Sequence, residues 1–184
     1  MYVSVVNEIR CIMKKHILVI GSLVFLVLIS CAEKAQIQDV QELLPEANSY
    51  VIERIAEYSQ ISQEHKTELE KIARFINEKQ GDATELIFIC THNSRRSHMS
   101  QIWAQVAAHY YGFDQVITYS GGTESTAFNP RAVRALQKAG LSIERQDESD
   151  NPVYVINYLE TAEAMHAFSK TFSHETNPQD GFCA

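Results

Sequence analysis

The stretch IFICTHNSRRSHMSQIWAQ, residues 87 to 105, constrains the fold more than any other part of the chain. The run ELIFIC is rich in β-branched and aromatic residues and reads as a buried strand. It ends on a cysteine, Cys90. A polar loop, Thr91 to Arg96, follows. Then Met99, Ile102, Trp103, Val106, Ala107 and Tyr110 recur at helical spacing, which makes one apolar helix face. A strand that turns through a short polar loop into an amphipathic helix is the first half of a β-α-β unit.

The alternation continues downstream. QVITYS reads as a second strand. Asn129 is a cap candidate, Pro130 opens the helix PRAVRALQKAG, and Gly140 closes it. YVINY, residues 154 to 158, reads as a third strand. The expected fold class is α/β, a three-layer sandwich around a central, mostly parallel sheet. Upstream, residues 41 to 80 carry two helical patterns, with Ser62 as the cap of the second, and predict a helical hairpin before the α/β domain. By propensity alone, ETAEAMHAFSKTF, residues 160 to 172, reads as a helix, and DESD, 147 to 150, as a solvated loop. His98, at the start of the loop's helix, reads as a residue of the loop mouth or a solvated one.

The N-terminal 31 residues are of another kind. Lys14 and Lys15 precede a mostly apolar run from Ile17 to Ile29, and Ser30 and Cys31 follow, closing the stretch LISC. The run is too short for a membrane span, which needs about 20 residues, and has the form of a signal-peptide core. LISC resembles the lipobox of bacterial lipoproteins, which implies cleavage before Cys31 and lipidation of that cysteine. The expected organisation is a signal segment over 1–31, a tether and helical extension over 32–82, and the α/β domain over 83–184. The domain would then be exported and membrane-anchored through lipid; without a working signal it would be cytoplasmic. Such a mature chain keeps two thiols, Cys90 and Cys183, too few for a disulfide framework, though they could pair with each other. A formal net charge of −7 argues against a nucleic-acid partner, which selects a basic face.

The loop after Cys90 has a chemical reading. α/β proteins bind ligands beyond the carboxyl ends of their strands. Loop amides and the positive end of the following helix point at one spot, and Arg96 brings a planar cationic fork suited to tetrahedral oxyanions. A cysteine there has a lowered pKa and acts as a thiolate nucleophile. The competing reading, a buried structural cysteine beside a surface arginine, is weakened by the placement between strand and helix. No cofactor or metal is called for; the histidines have no metal-ligand spacing.

LIFICTHNSRRSHMSQIWA closely resembles the active-site loop of low-molecular-weight protein-tyrosine phosphatases and the related thioredoxin-type arsenate reductases, as does YSGGTESTAFNPRAVRALQKAGLSI their second strand, loop and helix. The resemblance implies Cys90 as nucleophile, Arg96 and the loop Thr91, His92, Asn93, Ser94 and Arg95 as the oxyanion cradle, Ser97 as the donor to the sulfur, and Asn93 as the loop's brace. It departs at His92, where the family has glycine, and at Arg95, where it has a second cysteine. The family's late Asp-Pro acid is not found, so the domain reads as incomplete at its C-terminus, with a sheet face left uncovered. The family also turns part of 160–172 into strand. Three functions follow: a phosphatase acting on phosphate monoesters through a Cys90 thiophosphate, an arsenate reductase, or a lipid-anchored oxyanion-binding module without turnover.

Overall fold

The computed structural model describes residues 42–79, 83–161 and 163–184. The apolar run 17–29, Cys31, the tether, and Gly81 with Asp82 lie outside them. Among the described residues no helix is long and apolar enough to cross a membrane. In chain order the elements are α1 (Pro45–Ala56), a 3-10 turn (Glu57–Gln60), α2 (Gln63–Glu78), β1 (Thr84–Cys90), α3 (Arg96–Tyr110), β2 (Val116–Gly122), α4 (Pro130–Lys138), β3 (Ser142–Arg145), β4 (Tyr154–Asn157) and β5 (Met165–Ala167).

The fold is mixed α/β. β1 and β2 pair in parallel, from Thr84 opposite Val116 to Cys90 opposite Gly122, with α3 as the crossover. Two glutamines of α3 tie helix to sheet. Gln101 Nε2 donates to the Thr118 carbonyl (3.0 Å), and Gln105 bridges the Thr118 amide and the Val116 carbonyl (3.0 Å each). They satisfy backbone groups along one edge of β2, which would otherwise be an open strand edge. Past them, at Gly122, that edge pairs in parallel with Thr171, and β1 pairs on its far side with Cys183. Ile89 and Ile117, on one face of the β1–β2 pair, stay exposed at 42% and 43%, so that face is partly uncovered.

Two expectations need correction. YVINY is a strand, but it does not join the parallel sheet: β4 pairs antiparallel with β3 and with β5, in a separate three-stranded sheet. β3, SIER, is too short and polar to show as a strand in the sequence. The described residues of 160–172 form no helix, as the resemblance rather than propensity had it. Met165–Ala167 is β5, and the chain then runs beside β2 at Thr171. Ladder bonds to two sheets outweigh a propensity of a few tenths of a kcal/mol per residue.

The main core gathers Ile102 and Val106 of α3, Phe128, Leu136 of α4 and Ile156 of β4, each 1% exposed or less. Local caps set the helix ends: the Asn129 side chain accepts from the Arg131 amide (2.9 Å) with Pro130 at N1, and Ser62 accepts from the His65 amide (3.3 Å). The two upstream helices are present, and each packs on its own cluster. α1 lies on the main core, its Tyr50 stacked on Trp103 at 5.1 Å. α2 lays Ile72, Phe75 and Ile76 over a second cluster built on Leu86, Ala108 and Val116. Gly140 lets α1 seat: its φ is +96°, and a Cβ there would run into the backbone of Glu46 and Ala47.

Candidate active site

β1 ends at Cys90 against Gly122 of β2, and the chain from Thr91 to Arg95 curls back to start α3. The loop's carbonyls are bonded outward. The Cys90 carbonyl accepts from the Thr123 amide (3.1 Å), that of Thr91 from the Glu124 amide (2.8 Å), and that of Ser94 from the Asn129 amide (2.8 Å). The His92 carbonyl accepts from the hydroxyls of Thr126 and Ser169, both at 3.1 Å. Turning the carbonyls out leaves the amides facing in, a nest of donors of a kind suited to an anion, at the N-terminus of a 15-residue helix. Gly122 allows the close approach: a Cβ there would meet the Asn93 amide nitrogen at 2.6 Å and the Thr91 carbonyl oxygen at 2.8 Å.

Asn93 holds the turn. Its φ is +40°, the left-handed region that asparagine tolerates, and it is fully buried. Its Oδ1 accepts from the Lys170 amide (2.8 Å), and its Nδ2 donates to Ser97 Oγ (2.9 Å). Ser97 Oγ thereby accepts from Asn93 and keeps its single proton for Cys90 Sγ, 3.1 Å away. Burial alone would push the Cys90 thiol up. The Ser97 hydroxyl and the backbone amides of Ser97, Ser94 and Asn93 outweigh it and bring the thiol down to about 7.

Cys90, His92, Ser94, Arg95, Arg96, Thr126 and Asn129 line a cleft of about 180 Å³. Arg95 and Arg96 are exposed and form no ion pair with a carboxylate among the described residues, so both cations face the cleft uncompensated. Thr91 contributes backbone. Ser94 also acts through its amide, because its hydroxyl is spent on the Ala127 carbonyl (2.7 Å). His92 stands at the mouth, Nε2 3.6 Å from Glu124 Oε2.

His98 is at neither place the sequence suggested. It is fully buried, stacked on Phe128 at 4.1 Å, with Nε2 donating to the Phe168 carbonyl (3.2 Å). Burial pushes it down to about 4 despite that bond, and the nearby Lys170 cation adds to the shift. Cys183 is a free thiol, as is Cys90. It pairs with Leu86, four residues before Cys90 on the neighbouring strand, a span of about 13 Å at strand rise, too far for a disulfide.

Several site residues had no signal in the sequence. Ser169 accepts from the Thr126 amide (2.8 Å) while its hydroxyl donates to His92, and Asn151 clamps the Ser169 backbone at 2.8 and 3.0 Å. Lys170, buried and pushed down to about 8 by that burial, supplies the amide for Asn93. Their partners lie up to 77 residues away in the chain, and no local pattern announces such pairs.

Comparison with known proteins agrees with the geometry. Residues 85–153 match the family model described as low molecular weight phosphotyrosine protein phosphatase. An arsenate reductase of Bacillus subtilis is 41% identical over 61 residues, 33% of this chain and 41% of its own length. Arsenate reductase 2 of Staphylococcus haemolyticus is 37% identical over 62 residues, 34% of this chain and 44% of its own. An arsenate reductase of Bacillus cereus is 27% identical over 93 residues, 50% of this chain and 66% of its own. The chain thus spans less than half the length of the first two. No solved structure matches. Residues 85–153 are thus similar to the low-molecular-weight phosphotyrosine phosphatase family, and part of the chain to arsenate reductases, in line with the loop resemblance.

Proposed function

We propose that this chain carries a low-molecular-weight phosphatase domain and is a cysteine-dependent phosphatase acting on phosphate monoesters. The observation that carries the reading is a thiol lowered to about 7 inside a ring of inward amides, with Arg96 beside it. The Cys90 thiolate attacks phosphorus, and the bond from phosphorus to the leaving oxygen breaks. That oxygen takes a proton and departs. Water then attacks the thiophosphate, the P–S bond breaks, and the sulfur leaves as a thiolate that the Ser97 hydroxyl stabilises. Arg96 and the amides hold the equatorial oxygens in both steps, where preorganised donors contribute most. The test is hydrolysis of 4-nitrophenyl phosphate by the full chain under reducing conditions. Cys90→Ser is expected to fall to background; an equal rate in that variant contradicts the reading.

Arsenate reduction is the second reading, supported by the names of the relatives. Arsenate would condense with Cys90 with loss of water. A second thiol would attack the Cys90 sulfur, forming a disulfide, while arsenic keeps the electron pair and leaves as arsenite. Arg95 stands where the family places its second cysteine, and Cys183 is about 13 Å off at strand rise, so an external small-molecule thiol must supply that step. Arsenate-dependent oxidation of added thiol, lost in Cys90→Ser, would favour it. Phosphate binding without either turnover would leave an oxyanion-binding module. Lipid on Cys31 would hold any of the three at a membrane; labelling with a fatty acid, lost in Cys31→Ser, tests that part.

A further inference from the structure

The proposed hydrolysis, on which this inference rests, needs a proton for the departing oxygen. Among the described residues no aspartate or glutamate lines the cleft beside Cys90. An imidazole does. The His92 backbone is pinned by two hydroxyls on its carbonyl, yet its side chain is 56% exposed and stands in the cleft wall. Its Nε2 lies 3.6 Å from Glu124 Oε2, and Glu124 hangs from the cradle too, its amide donating to the Thr91 carbonyl (2.8 Å). The two side chains therefore come from two loops braced on each other.

The direction of the reaction gives that position its meaning. In phosphoryl transfer the attacking and leaving atoms lie roughly in line through phosphorus. With Cys90 at the floor, the leaving oxygen departs through the mouth, where His92 stands. Histidine is the side chain whose charge changes between pH 5 and 8, which suits it to give a proton in one step and take one in the next.

We propose that His92 is the general acid–base residue of this site and that Glu124 is its positioning residue. With Nε2–H directed at Glu124, Nδ1 faces the substrate. As the S–P bond forms and the P–O bond breaks, the imidazolium gives its Nδ1 proton to the leaving oxygen. Neutral Nδ1 then takes a proton from the water that attacks phosphorus as the P–S bond breaks. The charged groups around the ring are Glu124, Arg95, Arg96 and the Cys90 thiolate.

The test compares two substrates in the full chain. Phenyl phosphate has a poor leaving group that needs the proton; 4-nitrophenyl phosphate has a good one that does not. The discriminating readout is release of the leaving group in the first turnover, since hydrolysis of the thiophosphate is common to both substrates and slows alike for both when the base is lost. His92→Ala is expected to lower the first-turnover release of phenol about 10²-fold, the low end for a lost general acid, and to change that of 4-nitrophenol far less. Inhibition by inorganic phosphate stays as in the parent. Glu124→Gln is expected to reproduce part of the loss in phenol release without weakening phosphate inhibition, and Glu124→Asp to restore some of it. Equal losses of first-turnover release on both substrates, or weakened phosphate inhibition, make the ring an anion binder and overturn the assignment. An unchanged ratio of the two release rates, with Cys90→Ser inactive, overturns it too while the phosphatase reading stands. Turnover of neither substrate by the folded parent defeats that reading and the inference with it.

Discussion

At the scale of single residues, the site depends on the use of one proton. Ser97 has one hydroxyl hydrogen, and Asn93 ensures that it points at the sulfur by occupying the oxygen's accepting side. The Cys90 thiol, lowered to about 7, is half thiolate near neutrality, and its reactivity rises through that pH and levels above it. Removing the hydroxyl with Ser97→Ala takes away a bond to the charged form, so the midpoint moves toward the ordinary thiol value. A hydrogen bond to a charged group contributes about 1.5–3 kcal/mol, which corresponds to a rise of about one pH unit or more. The rate of alkylation by iodoacetamide against pH reads this directly. The expected profile for Ser97→Ala is displaced to higher pH; a superimposable profile shows that the backbone amides suffice.

At the scale of elements, α3 carries both the site and a buried histidine one residue beyond Ser97. His98 is neutral in the folded protein, since burial holds it at about 4 against an ordinary 6.5. Between those values the unfolded chain binds more protons than the folded one, so stability falls as pH drops from about 6.5 to about 4 and is flat above. The loss is on the order of 3 kcal/mol at one pKa unit per 1.4 kcal/mol. His98→Phe keeps a ring on Phe128 and removes the titration. It forfeits the bond to the Phe168 carbonyl, but also removes a buried Nδ1 that has no hydrogen-bond partner. The expected cost at pH 7 is under about 2 kcal/mol, with the steep loss between pH 6.5 and 4 abolished in urea unfolding curves. An unchanged slope would place the acid sensitivity elsewhere. The sequence could not have located this ring. Its helix-start position is the same for a solvated and a buried histidine, and only the placement of Phe128 and Phe168 decides. β1, α3, β2 and α4, by contrast, were legible, because each announces itself locally: ELIFIC by composition, α3 by its spacing, α4 by Asn129 and Pro130.

At the scale of the whole molecule, what escaped the sequence is what closes over long distances. The segment from Phe168 to Phe172 reads as helix in isolation. In place it bonds the loop through Ser169 and Lys170, runs beside β2, and covers His98. The same logic split the expected parallel sheet, since β3 and β5 offer β4 two antiparallel partners that no periodicity could reveal. The molecule is acidic overall, at −7, yet it presents Arg95 and Arg96 at one cleft with no ion pair among the described residues, so an anion meets a local potential opposite to the net charge.

The proposed phosphatase reaction requires that Cys90 form a covalent bond to phosphorus inside this cradle. The most direct measurement is mass spectrometry of the chain quenched in acid while it turns over 4-nitrophenyl phosphate, followed by peptide mapping. One added phosphoryl group is expected, on the peptide carrying Cys90 and absent from Cys90→Ser. A phosphoryl group on another residue, or steady turnover with no covalent adduct at the shortest quench times, would contradict it.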